Sequence, residues 1–228
     1  MLVPLKGKRR TIAERTLRSY LSAPHISLSL SVDMGEVQKV IESATGTIQS
    51  GAASPLKITS VLSKVVALAL LKHPKLNAHL VDQEIRQYHR VHLGVAVALK
   101  DGLIVPVIRD ADRKQLMEVH SELQELQKRA RIGRLRPDEI TGSTFTISNL
   151  GMYGIEEFTA ILNPPEVGIL SVGCVSSRPI KIQDQIDFRP MMQLTVNVDH
   201  RAIDGAVAAR FLKTLKDLLE NPSLTLGF

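Results

Sequence analysis

The sequence predicts an α/β domain built on a mixed, largely antiparallel sheet with helices packed on one of its faces. Three observations point there. Runs of period two and runs of helical period are interspersed along the whole chain. An Asp101-Gly102 pair lies between two apolar runs, a strong hairpin signal. Strand-like runs then follow one another late in the chain, an order that argues against a doubly wound parallel sheet. Hydrophobic residues are 44% of 228, enough for a sizeable core, and no repeat or low-complexity linker divides them. Residues 1–7 read as a linker remnant and residues 8–228 as one domain.

From Lys8, the positions Ile12, Ala13, Thr16, Leu17 and Tyr20 mark a short amphipathic helix, which Ala23-Pro24 ends because the residue before a proline is pushed out of helical geometry. His25 to Asp33 alternates: Ile26, Leu28, Leu30 and Val32 on one face, Ser27, Ser29 and Ser31 on the other. That is a strand with one buried face, its serines facing either water or a channel. Met34 to about Ser50 reads as a helix, with a loop over Gly46 to Pro55. Ile58 to Leu71 is apolar on nearly all sides and therefore a buried helix, closed by His73-Pro74. Val91 to Val107 reads as two strands around Lys100-Asp101-Gly102, and Gln115 to Arg131 as an amphipathic helix. Thr144 to Ser148 starts a strand, the glycine-bearing stretch Asn149 to Gly154 follows, and Asn163-Pro164-Pro165 is a rigid turn. Val167 to Val175 and Ile180 to Phe188 read as strands separated by Ser176 to Pro179. Met192, Leu194, Val196 and Val198 form one more, before a helix through Glu220 that Asn221-Pro222 stops.

Composition excludes several function classes. A net charge of +6 would suit an anionic partner, but the basic residues fall in scattered clusters with no aromatic-rich basic strand. Nucleic acid is therefore not expected. No Cys/His spacing suits zinc, and His200 with Asp204 lacks a third ligand, so no metal is expected. The single Cys174 lies in an apolar run, which rules out an intramolecular disulfide and fits an inert thiol in a reducing compartment. No apolar run reaches the 18 or so residues of a membrane span, and no signal peptide is visible. A soluble cytoplasmic domain is expected, or one of the mitochondrial matrix if the source is eukaryotic.

The chemistry is expected on Val198-Asp199-His200-Arg201-Ala202-Ile203-Asp204-Gly205, a tight turn from a strand into a helix. An imidazole there is a candidate acid or base, its ordinary pKa lying near 6.5. Other stretches stand in order with it: Arg9-Arg10-Thr11-Ile12-Ala13, Ala23-Pro24-His25, His73-Pro74 with Asn77-Ala78, Leu93 to Val97, Gly102 to Ile108, Gly142 to Gly151, and Asn163-Pro164-Pro165-Glu166-Val167. Together, from about Leu5 to Pro222, they resemble the catalytic domain of the dihydrolipoamide acyltransferases of 2-oxo acid dehydrogenase complexes.

The resemblance implies transfer of an acyl group between the thiols of dihydrolipoamide and coenzyme A. It implies an α/β sandwich like that of chloramphenicol acetyltransferase, trimers with active sites between subunits, and assembly of trimers into a cubic or icosahedral shell. By similarity His200 is the general base and Ser148 the oxyanion-stabilising hydroxyl. Asp204 holds the turn by pairing with an arginine, for which Arg9, Arg10 and Arg201 are candidates. Thr59, Gln127, Asn149 and Gly173 fall where relatives contact coenzyme A. Ile41 and Ala98 stand where family members place an arginine and a carboxylate. The lipoyl group would come from a lipoyl domain absent from this sequence, and the E1 and E3 components would bind through other absent domains. The C-terminal Leu224 to Phe228 would insert into a neighbouring trimer. Two alternatives are a catalytically silent structural core subunit and a stand-alone coenzyme A acyltransferase for a small acceptor. The acyl group itself is not readable from the sequence.

Overall fold

The computed structural model describes residues 2, 4–47, 54–100 and 102–222, apart from the side chains of residues 8 and 45–47. Asp101, most of the expected 46–55 loop and the 224–228 tail therefore lie outside the described residues.

The chain begins with helix α1 (Gly7–Ser22) and strand β1 (His25–Asp33), then helices α2 (Gly35–Thr47) and α3 (Ile58–Lys72). Short strands follow: β2 (Ala78–Val81), β3 (Glu84–Gln87), β4 (Leu93–Val95), β5 (Val97–Leu99), β6 (Gly102–Ile104) and β7 (Val107–Ile108). Helix α4 (Leu116–Arg131), strands β8 (Phe145–Asn149), β9 (Gly168–Ile182) and β10 (Gln185–Asp199), and helix α5 (Gly205–Glu220) complete it. The main sheet has six strands in the order β1-β10-β9-β8-β4-β7. β8 runs parallel to both β9 and β4, while the other neighbours are antiparallel, so the sheet is mixed and largely antiparallel.

One face of this sheet is the core. Leu28, Leu30 and Val32 of β1, Leu194, Val196 and Val198 of β10, Leu170 and Val172 of β9, and Phe145 and Ile147 of β8 all point into one cluster with the helices. α5 lies along β1 and β10, and α3 packs between α5 and α4. α3 is buried nearly all round, as its composition requires, and its one buried cation, Lys64, donates to the carbonyls of Ala111 and Asp112. Phe145 and Phe211 meet edge to face at 5.6 Å between sheet and α5.

The other face is polar and internally bonded. Ser27 Oγ donates to Asn197 Oδ1 at 2.7 Å, Ser29 and Thr195 share a hydroxyl contact of 2.8 Å, and Ser31 Oγ donates to Gln193 Oε1 at 2.6 Å. These are directly opposed pairs of the β1–β10 ladder, so the serines serve cross-strand bonding rather than water alone. The segment from Ile155 to Asn163 crosses this face, with Leu162 packed against Ala23 and Ile169. α1 stands apart from the other helices: it touches β6, and Ser19 Oγ donates to the Leu162 carbonyl at 2.8 Å.

Three sequence expectations change. Ser176 to Pro179 do not separate two strands; β9 runs unbroken to Ile182, and the chain turns at Gln183 (φ 55°) and Asp184. The Val91 to Val107 hairpin divides. β4 and β7 join the main sheet, while β5 and β6 leave it as a separate ribbon that packs on α4 and α1. There the α-carbon of Gly102 faces Ile12 so closely that an added Cβ would lie 2.8 Å from its Cδ1. The β2–β3 hairpin, turning through Asp82 and Gln83 at φ 50° and 67°, has no counterpart in the periodicity reading.

Candidate active site

His200 stands on the turn the sequence singles out, and its surroundings show why that turn is rigid. The His200 N–H donates to the Pro24 carbonyl at 2.9 Å, and those of Ala202 and Ile203 return to the Asp199 carbonyl. The Asp199 side chain, 4% exposed, accepts from the Arg201 backbone N–H at 3.0 Å and from its Nε and Nη2 at 3.0 and 2.6 Å. That contact holds the Arg201 guanidinium above its usual pKa. Asp199 is therefore the carboxylate that braces the turn, a role sequence reasoning assigned to Asp204. The signal was present, since an aspartate two residues before an arginine on a turn can close on its backbone. Asp204 is exposed, caps the start of α5 by position without a side-chain bond, and makes no ion pair among the described residues. Arg201 is committed to Asp199 and Arg10 to Glu14. The His200 ring is exposed at the protein surface.

Ser148 lies elsewhere. It sits on β8 with its side chain on the polar face, in a cleft of about 400 Å³. The cleft is lined mainly by aliphatic and aromatic groups, among them Ile104, Val105, Ile140, Phe158 and Ile161, with Arg15 as its one cation among the described residues. Three hydroxyls reach the lining. Thr16 Oγ1 donates to the Ile12 carbonyl and Thr146 Oγ1 to Glu166, which leaves Ser148 alone uncommitted among the described residues. A donor in that position can serve an oxyanion.

The sheet register separates the two groups. Ser148 pairs with Ser171 on β9, and Ser171 with Thr195 on β10, five residues before His200. Two strand spacings and five strand rises put the α-carbons roughly 20 Å apart. Within one chain they cannot share a reacting atom.

The four residues expected near coenzyme A divide. Asn149 Nδ2 donates to Thr59 Oγ1 at 3.1 Å, and Asn149 Oδ1 accepts the Gly151 N–H at 2.8 Å, so these two form a built polar corner. Gln127 is half-buried on α4, one turn beyond Gln124, which accepts from Lys57 Nζ at 3.1 Å. Gly173 is explained by packing. Two residues, Gly173 and Cys174, oppose Gln193 alone, a bulge that frees the Cys174 N–H to reach the Ile155 carbonyl at 2.7 Å. A Cβ on Gly173 would lie 1.8 Å from the Glu156 carbonyl oxygen, so its α-carbon is covered by chain. Ile41 packs against the core and Ala98 is exposed on the β5–β6 ribbon. Among the described residues, no group of three His, Cys, Asp or Glu is placed to hold a metal. No helix among them is long and apolar enough to cross a membrane.

Comparison with known proteins places this geometry. Residues 2–227 match the family of 2-oxoacid dehydrogenases acyltransferase (catalytic domain). The chain is 40% identical over 225 residues to the dihydrolipoyllysine-residue acetyltransferase component of the pyruvate dehydrogenase complex of Rickettsia bellii, covering 99% of this chain and 54% of that protein. It thus spans about half the length of the relative it matches. Among solved structures, dihydrolipoamide acetyltransferase of Azotobacter vinelandii aligns with a TM-score of 0.94 at 37% identity, over 98% of this chain and 93% of that one. That structure belongs to a study of a serine, a histidine and an asparagine in the enzyme's catalytic mechanism. Its serine precedes its histidine by 52 positions, as Ser148 precedes His200, and its asparagine follows by four, as Asp204 does. The cubic core of a pyruvate dehydrogenase multienzyme complex aligns with a TM-score of 0.94 at 36% identity, over 98% and 93% of the two chains. Chloramphenicol acetyltransferase, at 14% identity and a TM-score of 0.55, shares the fold.

Proposed function

The chain belongs to the 2-oxoacid dehydrogenases acyltransferase (catalytic domain) family, and we propose on that premise that it moves an acyl group between the thiols of dihydrolipoamide and coenzyme A. Free thiols have a pKa near 8.5 and are mostly protonated at neutral pH. His200 takes the proton from the attacking thiol as its sulfur bonds to the thioester carbonyl carbon. The carbonyl oxygen gains negative charge, and Ser148 donates to it. Collapse breaks the original carbon–sulfur bond, and the imidazolium returns its proton to the departing sulfur. Protons and electron pairs balance with no further reactant.

The observation that carries this reading is the separation of Ser148 and His200 by roughly 20 Å across the sheet, combined with their shared spacing with the catalytic residues of the Azotobacter enzyme. His200 is rigidly mounted, exposed and, among the described residues, without a side-chain partner, as expected of a group that works in a neighbouring copy's cleft. Exposed apolar residues support such contacts: Leu17, Tyr20 and Leu21 on α1, Met152 and Tyr153 after β8, and Ile186 and Phe188 at the β9–β10 tip. The site is then assembled between subunits of a trimer, with Thr59 and Asn149 on the coenzyme A side. Trimers build a larger core, and the lipoyl group and the E1 and E3 components engage through domains outside this sequence.

The test is acyl transfer from acetyl-CoA to free dihydrolipoamide. His200→Ala lowers kcat by about 10²–10⁴-fold, the usual worth of a general base, with the oligomer unchanged by light scattering. Near-normal turnover in that variant would remove His200 from the chemistry.

A further inference from the structure

Behind the wall of the Ser148 cleft lies a carboxylate that this mechanism does not use. Glu166, 4% exposed, follows Pro165 and accepts from three neutral groups. Ser143 Oγ and Asn163 Nδ2 (2.8 Å) share one carboxylate oxygen, and Thr146 Oγ1 (2.6 Å) takes the other. It forms no ion pair among the described residues. Burying a carboxylate without a counter-ion is costly, and burial pushes its pKa up to about 7.

Two of the three donors, Thr146 and Asn163, stand in the cleft lining. Asn163 turns its other end toward α1, where its Oδ1 accepts from Arg15 Nη2 at 3.4 Å. Arg15 reaches both this cleft and an adjoining cavity of about 440 Å³ between α1, the β5–β6 ribbon and the end of α4. No carboxylate pairs with it among the described residues, so its Nε and Nη1 donors remain for a ligand.

We propose that Glu166 and Asn163 are positioning residues that aim Arg15 into the Ser148 cleft, and that Arg15 is the specificity-determining donor to the amide carbonyl of the dihydrolipoamide arm. The assignment rests on the acyl-transfer reading above. An aliphatic lining with a single cation suits a hydrocarbon arm ending in an amide, and offers too little charge for a polyphosphate.

Calorimetric titration of the assembled protein with dihydrolipoamide, and separately with coenzyme A, reads binding without turnover. Arg15→Ala and Asn163→Ala each weaken dihydrolipoamide by about tenfold or more, the order of one lost hydrogen bond to a charged group, and leave coenzyme A within about twofold. Because Asn163 acts through Arg15, the double variant binds no worse than Arg15→Ala. Glu166→Met weakens binding as Asn163→Ala does. Glu166→Gln restores it, since its carbonyl oxygen still holds Ser143 and Asn163 while its amide donates to the rotatable Thr146 hydroxyl. Should Glu166→Met fail to fold, the Arg15 and Asn163 cycle decides. Wild-type affinity in Asn163→Ala, additive losses in the double variant, or a loss confined to coenzyme A would overturn the proposal. Failure of acyl transfer with these binding shifts intact would remove the functional reading instead.

Discussion

Asp199 and Glu166 are both buried carboxylates, and their partners give them opposite consequences. Asp199 meets a guanidinium and a backbone N–H, so its burial is compensated. Glu166 meets only neutral donors, so its ionised form is not. In the folded chain Glu166 keeps its proton up to about pH 7, against 4.5 when unfolded. Between those values the native state binds more protons, so this group's contribution is full below the lower value and is lost as pH rises through about 7. The loss amounts to roughly 3 kcal/mol. Nearby Arg15 opposes the shift, and His79, whose Nε2 bonds the Ser143 carbonyl, titrates the other way: burial lowers its pKa, so its share of stability is lost on acidification. Urea midpoints should therefore show wild type losing stability relative to Glu166→Gln between pH 5 and pH 8. Parallel midpoints across that range would contradict this account of Glu166. The sequence displayed Asn163-Pro164-Pro165-Glu166 as a motif, yet nothing in its spacing showed that the carboxylate would end without a cation. His200 was legible because a strand and a helix converge on it. Its brace was less so: similarity points to Asp204, while within the chain the turn bends Arg201 back to Asp199.

At the scale of elements, the β9 bulge decides how the site's surroundings are laid. It frees the Cys174 N–H, seats the Glu156 carbonyl on Gly173, and so carries the Ile155 to Asn163 segment across the polar face. Gly173→Ala places a methyl 1.8 Å from that oxygen, which must move. The expected result is destabilisation by about 2 kcal/mol or more, the range for overpacking a closed site, seen as a lowered denaturation midpoint. Raised protease sensitivity between residues 155 and 163 should accompany it. An unchanged midpoint would show that the segment is not pinned there. Periodicity located β1, α4 and α5 closely, because each has one apolar face against one core, and α3 by a run apolar nearly all round, while α1 was bounded by Ala23-Pro24. It misplaced the β9 and β10 break, since Ser176 to Pro179 read as a turn by composition but pair with Met191 to Phe188 in a ribbon with no fully buried residue on the β9 side. It also joined β4 to β5, because alternation continues through Ala96 while the chain leaves one sheet for another.

At the scale of the whole molecule, one chain carries, on the proposed reading, two halves of a site that it cannot close. Ser148 opens into a cleft on one side of the sheet's polar face, and His200 projects from the far end of β10. Exposed apolar residues on α1, after β8 and at the ribbon tip supply surface for a second copy. The sequence alone could name both halves but not their separation, which arises from strand order and register. That separation is most directly tested by mixing Ser148→Ala and His200→Ala chains, each nearly inactive alone, by co-refolding or co-expression. If every site takes its serine and histidine from different subunits, random mixing rebuilds intact sites and restores about a quarter of wild-type acyl transfer. Activity no higher than the mean of the two parent variants would contradict a site shared between chains.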